Sequence, residues 1–185
     1  MTVRLASFRG RAHLVVGQDD LLVDIEQVSH GLLPNDPMAC FTRWDEVRSL
    51  ARSVVVPGNA PKAILDTLDC PVPQPRQMFA IGVNYRKHAE EMGSTLPNNP
   101  LTFAKFQSSL NAPGGDIPIV GDTCDYESEV VAVISVGGRE IAESEAWDHI
   151  AGLCAGQDIS DRQLQLSGTP PQFSLGKSRR GFAPI

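Results

Sequence analysis

Three prolines at alternate positions, Pro71, Pro73 and Pro75, divide this chain in two. Each locks φ and removes a backbone donor, so neither a helix nor a central strand runs through them. Closely spaced prolines favour extended backbone, and the segment reads as a stiff linker. A boundary is expected there, with a small N-terminal domain over residues 1–72 and a larger unit over residues 76–185. A length of 185 residues suffices for one substantial domain plus a small appendage.

Before the prolines, residues 1–24 alternate short apolar runs with polar breaks at Gly10, Gly17 and Asp19–Asp20. That pattern predicts a small antiparallel meander. Trp44, Val47, Leu50, Ala51 and Val54 follow helical spacing, which predicts a helix over residues 43–55 capped by Thr42 and ended at Pro57-Gly58. Beyond the prolines, Met78–Val83 reads as a buried strand, Asn84–Met92 as a short helix and Leu101–Phe106 as a short strand. Residues 107–124 read as loop. Tyr126–Val136 is the strongest strand signal, with Val130, Val131, Val133, Ile134 and Val136. Ser144–Ile150 reads as helical, Ala151–Ile159 as a strand, and residues 160–166 as a turn of helix.

Several functions are disfavoured. Lys plus Arg number 16 against 22 Asp plus Glu, a net charge of −6, and no long basic run occurs. Nucleic acid and anionic membrane are poor partners for such a chain. No apolar stretch approaches the ~20 residues that span a bilayer, and the first residues do not read as a secretory signal. Cys40, Cys70, Cys124 and Cys154 form no Cys-x-x-Cys pair. Free thiols in a reducing cytoplasm are the simplest expectation.

In Asp125-Tyr126-Glu127-Ser128-Glu129-Val130, the two glutamates are two residues apart. In a strand such residues share a face, which here continues as Val131 and Val133. Two like charges at the mouth of a buried surface cost several kcal/mol unless a cation offsets them. Asp158, at the end of the next apolar strand, supplies a third carboxylate. Three oxygen ligands suit a hard ion: Mg²⁺ first, with Mn²⁺ or Ca²⁺ as alternatives. Spacing alone favours solvated charges on an edge strand, and the metal reading rests on the wider pattern.

The wider pattern resembles the fumarylacetoacetate hydrolase family. The stretches that carry the resemblance are Ile81-Gly82-Val83-Asn84-Tyr85-Arg86-Lys87-His88-Ala89-Glu90-Glu91-Met92, Phe103-Ala104-Lys105, Asp125 to Val130, Asp158-Ile159-Ser160-Asp161-Arg162-Gln163-Leu164-Gln165 and Gly176-Lys177-Ser178. They stand in the family's order over residues 78–185. The resemblance implies an α+β, mostly β fold: a mixed β-roll core, incomplete here, preceded by a small N-terminal α/β domain. It implies Glu127, Glu129 and Asp158 as metal ligands, His88, Glu91 and Lys177 as catalytic residues, and Lys105, Arg162 and Gln165 as substrate-binding residues. It also implies a homodimer that acts on small 2-oxo or 1,3-dicarbonyl acids, by C–C bond hydrolysis, isomerisation or decarboxylation. One departure is that Arg179-Arg180-Gly181 stands where the family often has a threonine.

The residue types suit that chemistry. A cation held by carboxylates stabilises an enolate, and Lys177 and Arg162 add positive charge beside it. His88 and Glu91, three apart on a helix, face each other, and a carboxylate beside imidazole raises its basicity for taking a proton. Gly176-Lys177-Ser178 is not a phosphate loop, because that signature needs a glycine where Pro171 stands. The sequence ends at Pro184-Ile185, earlier than the family core. The competing expectation is therefore a truncated, catalytically inactive module with a binding or structural role.

Overall fold

The structure, a computed structural model, describes residues 2–91, 93 and 97–185, apart from the side chain of His88. Strands β1 (Leu5–Phe8), β2 (Arg11–Val16) and β3 (Leu21–Asp24) form an antiparallel meander in the order β1-β2-β3. Its register sets Leu14 opposite both Leu5 and Val23. The apolar partners therefore fall on one face, as alternation requires. Helices α1 (Ile25–Val28), α2 (Pro37–Thr42) and α3 (Trp44–Ser53) cover that face. The core they enclose is apolar: Ala12, Leu14, Val23, Ile25, Cys40 and Val47 are almost wholly buried.

The expected helix over 43–55 exists, but Thr42 does not cap it. Thr42 ends α2 and its hydroxyl donates to the carbonyl of Ala39. The sequence signal for α2 is Asp36-Pro37. The Asp36 carboxylate accepts from the Met38 N–H, and proline fits the first helical turn.

After the prolines come β4 (Phe79–Gly82), α4 (Arg86–Glu91), β5 (Leu101–Ala104), β6 (Leu110–Asn111) and β7 (Cys124–Asp125). They are followed by β8 (Ser128–Ile134), β9 (Ile150–Gln157), β10 (Ser160–Asp161), α5 (Arg162–Gln165), α6 (Phe173–Gly176) and β11 (Ala183–Pro184). The strands pair in twos: β4 with β5, β8 with β9 and β10 with β7 antiparallel, and β11 with β6 parallel.

Two expectations change and a third is refined. The strand at Phe79–Gly82 is not buried, since Phe79 is 64% and Ile81 42% exposed. The stretch 107–124 is not all loop, because β6 and β7 lie in it. The expected helix at 144–150 is a 3-10 helix, Glu143–His149, with no buried residue to anchor an α-helical face. Among the described residues, no helix is long and apolar enough to cross a membrane.

Candidate active site

The β8–β9 hairpin builds the site. On β8, Glu129, Val131 and Val133 are half-buried, whereas Val130 and Ile134 are exposed. Glu127, just before the strand, continues the half-buried face. The expected two-residue periodicity thus holds, and both glutamates lie on the inner side. The two carboxylate-bearing segments are joined by backbone: the Asp158 N–H donates to the carbonyl of Glu127 at 2.9 Å. The Ile159 N–H then donates to Phe182, which brings in the C-terminal segment.

Lys177 is the cation at the centre. Its ammonium donates to Glu127 Oε2 at 2.8 Å and to Asp158 Oδ2 at 2.7 Å, and only 3% of its side chain is exposed. The Phe103 ring lies beside it, 5.3 Å from Nζ to the ring centroid, and stacks edge-on against Phe173 of α6. Gly176 explains how this lysine reaches so far in. A Cβ at that position would stand 2.5 Å from the Gln165 nitrogen and 2.8 Å from the Asp161 carbonyl oxygen. Only glycine lets α6 pack this tightly on α5. The Ser178 hydroxyl accepts from the Phe106 N–H at 2.9 Å. Each residue of Gly176-Lys177-Ser178 therefore has its own structural task.

Lys105 is bound differently. It follows β5, is 8% exposed, and donates to Asp158 Oδ1 and to the backbone carbonyls of Lys177 and Phe182. An ammonium has three donors, so all of them are used within the chain. Burial pushes this ammonium below its ordinary value, although Asp158 pulls the other way.

A second charged layer flanks the first. Arg162 at the start of α5 contacts Glu127 Oε1 at 2.8 Å and Asp125 Oδ2 at 2.6 Å, and it donates to Gln165 Oε1 at 3.0 Å. Burial pushes the Glu127 carboxyl up, but Lys177 and Arg162 outweigh it and hold Glu127 below the usual carboxylate range. Asp125 is lowered chiefly by its hydrogen bond to Arg162.

Asp161, Asp125 and Arg179 were not singled out as site residues in the sequence. Asp161 caps α5 through the Leu164 N–H and pairs with Arg179 at 2.7 Å. Its position three residues before Leu164, at the head of a short helix, was the available signal. In the stretch Arg179-Arg180-Gly181, Arg179 thus forms an ion pair.

The structure brings Glu127, Asp158, Lys105, Lys177, Arg162 and Gln165 into one hydrogen-bonded cluster. Glu129 is the next residue along the same face, opposite Gly156. Glu91 lies on α4, while the His88 side chain falls outside the described residues. Val83, just ahead of α4, holds φ at 54°, a strained conformation for a β-branched residue. Among the described residues, no three Asp, Glu, His or Cys side chains converge on one point. Even so, the donor set is the hard-oxygen kind that Mg²⁺ and Mn²⁺ favour, and two of the carboxylates already share one cation, the Lys177 ammonium. In donor chemistry, the residues present suit a divalent ion.

Known proteins resemble this chain in sequence and fold. The family model described as fumarylacetoacetate (FAA) hydrolase C-terminal matches residues 77–185. An oxaloacetate tautomerase of Xenopus laevis, a mitochondrial protein, is 34% identical over 121 residues, which cover 64% of this chain and 38% of that one. A crystal structure described as an HpcE protein of Mycobacterium smegmatis is 40% identical, covers 98% of this chain and 63% of that one, and superposes with a TM-score of 0.88. Maleylpyruvate hydrolase of Sphingobium sp. SYK-6, crystallised with manganese(II) and pyruvate, shares the fold with a TM-score of 0.73 at 22% identity. It covers 98% of this chain and 64% of that one. The chain spans about half the length of the curated relatives it matches.

Proposed function

The chain belongs to the fumarylacetoacetate hydrolase family and has its α+β fold, and from that premise we propose that it is a divalent-metal-dependent enzyme acting on small 2-oxo or 1,3-dicarbonyl acids. The observation that carries this reading is the pair of carboxylates, Glu127 and Asp158, set side by side on adjoining segments around one cation. Glu127, Glu129 and Asp158 would hold Mg²⁺ or Mn²⁺. A cation there supplies Lewis-acid stabilisation of the negative charge that an oxo acid develops when a C–C bond breaks or a proton moves. Manganese(II) and pyruvate in the maleylpyruvate hydrolase, a protein of the same fold, support a divalent ion and an oxo acid as the pair to test.

The chain's own residues do the rest. Lys177 places positive charge in a buried setting beside that oxygen, where low dielectric strengthens it. Arg162, 31% exposed, borders the site and orients the substrate carboxylate, with Gln165 locked to it. His88 and Glu91, on the same helix and three residues apart, take the proton from water or from substrate carbon. Lys105 has no donor to spare for substrate and holds Asp158 in place instead.

The reading includes a homodimer. The outer β8–β9 face exposes Val130, Ile134 and Leu153, each more than half exposed, which suits burial against a partner. It also places the enzyme in the cytoplasm, where the four cysteines stay free. Burial pushes the Cys40 and Cys70 thiols up to about 11, so they are poor nucleophiles. The test is turnover of oxaloacetate, acylpyruvates and hydroxyheptadienedioate with Mg²⁺ or Mn²⁺. Activity on one class that EDTA abolishes and metal restores is expected. Turnover indifferent to EDTA overturns the metal assignment.

A further inference from the structure

The two buried lysines at Asp158 are held in unequal ways. Lys105 takes one carboxylate oxygen and two backbone carbonyls, those of Lys177 and Phe182. The carbonyls belong to the fold, so Lys105 cannot leave without unmaking the segment 177–182. The Lys177 ammonium donates to two carboxylates, Glu127 and Asp158, the same two that the proposed metal requires. The face of Phe103 also lies beside it, which attracts any cation without fixing its position. One lysine is therefore a fixture, and the other occupies a place that a better cation can take.

We infer that Lys177 is a tethered stand-in for the divalent ion, and that metal binding displaces its ammonium from Glu127 and Asp158 towards the substrate. This deepens the metal reading proposed above and rests on it. The Lys177 ammonium bridges the two carboxylates and, with Arg162 on Glu127 and Lys105 on Asp158, offsets their mutual repulsion while no metal is bound. A divalent ion carries twice the charge and binds carboxylate oxygens directly, so it takes over the same role. The displaced ammonium remains on its α6 tether and stays in the site. The positive charge beside the reacting oxygen is then delivered by metal loading itself. Lys105 stays in place throughout as the positioning residue for Asp158.

The cost of displacement must appear in metal affinity, since a site closed most of the time binds more weakly by its open fraction. The test is calorimetric titration of Mn²⁺, without substrate, into the intact protein and into its K177M and K105M variants. K177M should bind Mn²⁺ about tenfold more tightly than the wild type, because no ammonium has to move. K105M should bind more weakly, because Asp158 loses its anchor. Equal or weaker Mn²⁺ binding by K177M, with clear binding by the wild type, overturns the displacement and leaves the metal reading standing. No binding by either protein overturns both.

A second readout keeps the idea testable if K177M does not fold. In the wild-type protein, reductive methylation mapped by peptide mass spectrometry should label Lys177 faster when saturating Mg²⁺ is present, while Lys105 stays slow. A Lys177 labelling rate unchanged by bound Mg²⁺ overturns the displacement.

Discussion

The two parts of this chain are stabilised by opposite means. Residues 3–56 enclose an apolar core of leucine, valine, isoleucine and alanine, with Leu14, Ile25 and Val47 almost fully buried. Around the candidate site, the buried residues include Lys105, Asp158, Asp161, Gln165, Lys177 and Ser178, with few large apolar ones besides Phe182 and Ile159. An apolar core tolerates local loss, because neighbours partly collapse into the gap. A buried charge network does not, because removing one partner leaves another charge uncompensated. The difference is one of kind: apolar burial holds the first region, and paired charges hold the second.

The largest expected effect comes from Lys105→Met. It removes the donor for Asp158 and for two carbonyls, and breaking such a buried pair costs about 3–5 kcal/mol. Urea unfolding should show it as a lower midpoint. A loss under about 1 kcal/mol would mean the charge cluster does not hold this region together. Leu14→Ala, at 1% exposure, should cost about 3 kcal/mol through the cavity it leaves. Its melting temperature should fall while Mn²⁺ affinity stays at the wild-type value. A parallel fall in affinity would merge the two regions into one.

A smaller effect is expected from Gly176→Ala. The added methyl meets the Gln165 backbone, and overpacking of this kind costs about 1–3 kcal/mol. Because α6 carries Lys177, circular dichroism melts and metal titration should change together. The smallest effect is electrostatic and lies in the first region. Burial pushes the Asp24 carboxyl up, but Arg11 and the Gln27 N–H outweigh it, so its folded pKa lies below the usual carboxylate value. That contribution is present above the ordinary carboxylate range and is lost as pH falls through the lowered value. Its size is about 1 kcal/mol or less for a pair whose Arg11 is one-third exposed. Arg11→Met should flatten this acid limb of the stability curve.

How much of this the sequence reveals depends on distance along the chain. The β1–β3 meander and the shared face of Glu127 and Glu129 follow from period-two patterns a few residues long. The α3 helix follows from its apolar spacing, whereas its start does not, because Asp36-Pro37 opens a separate helix immediately before it. The role of Lys105 has no local signature. Its partners lie 53, 72 and 77 residues away. Phe79 and Ile81 look like core residues by composition, yet their strand presents them outwards. The Gly176-Lys177-Ser178 triplet is visible in sequence, but the need for glycine shows only when α6 meets α5.

The most direct measurement is Mn²⁺ binding to the intact protein and to Glu127→Gln, followed by electron paramagnetic resonance of the free ion. Gln keeps the shape and removes the charge. The wild type should bind one Mn²⁺ per chain. The variant should lose more than the roughly 10–100-fold typical of groups behind the ligands, while it unfolds at a similar temperature. A Glu127→Gln protein that binds Mn²⁺ as tightly as the wild type would contradict the assignment of this carboxylate cluster as the metal centre.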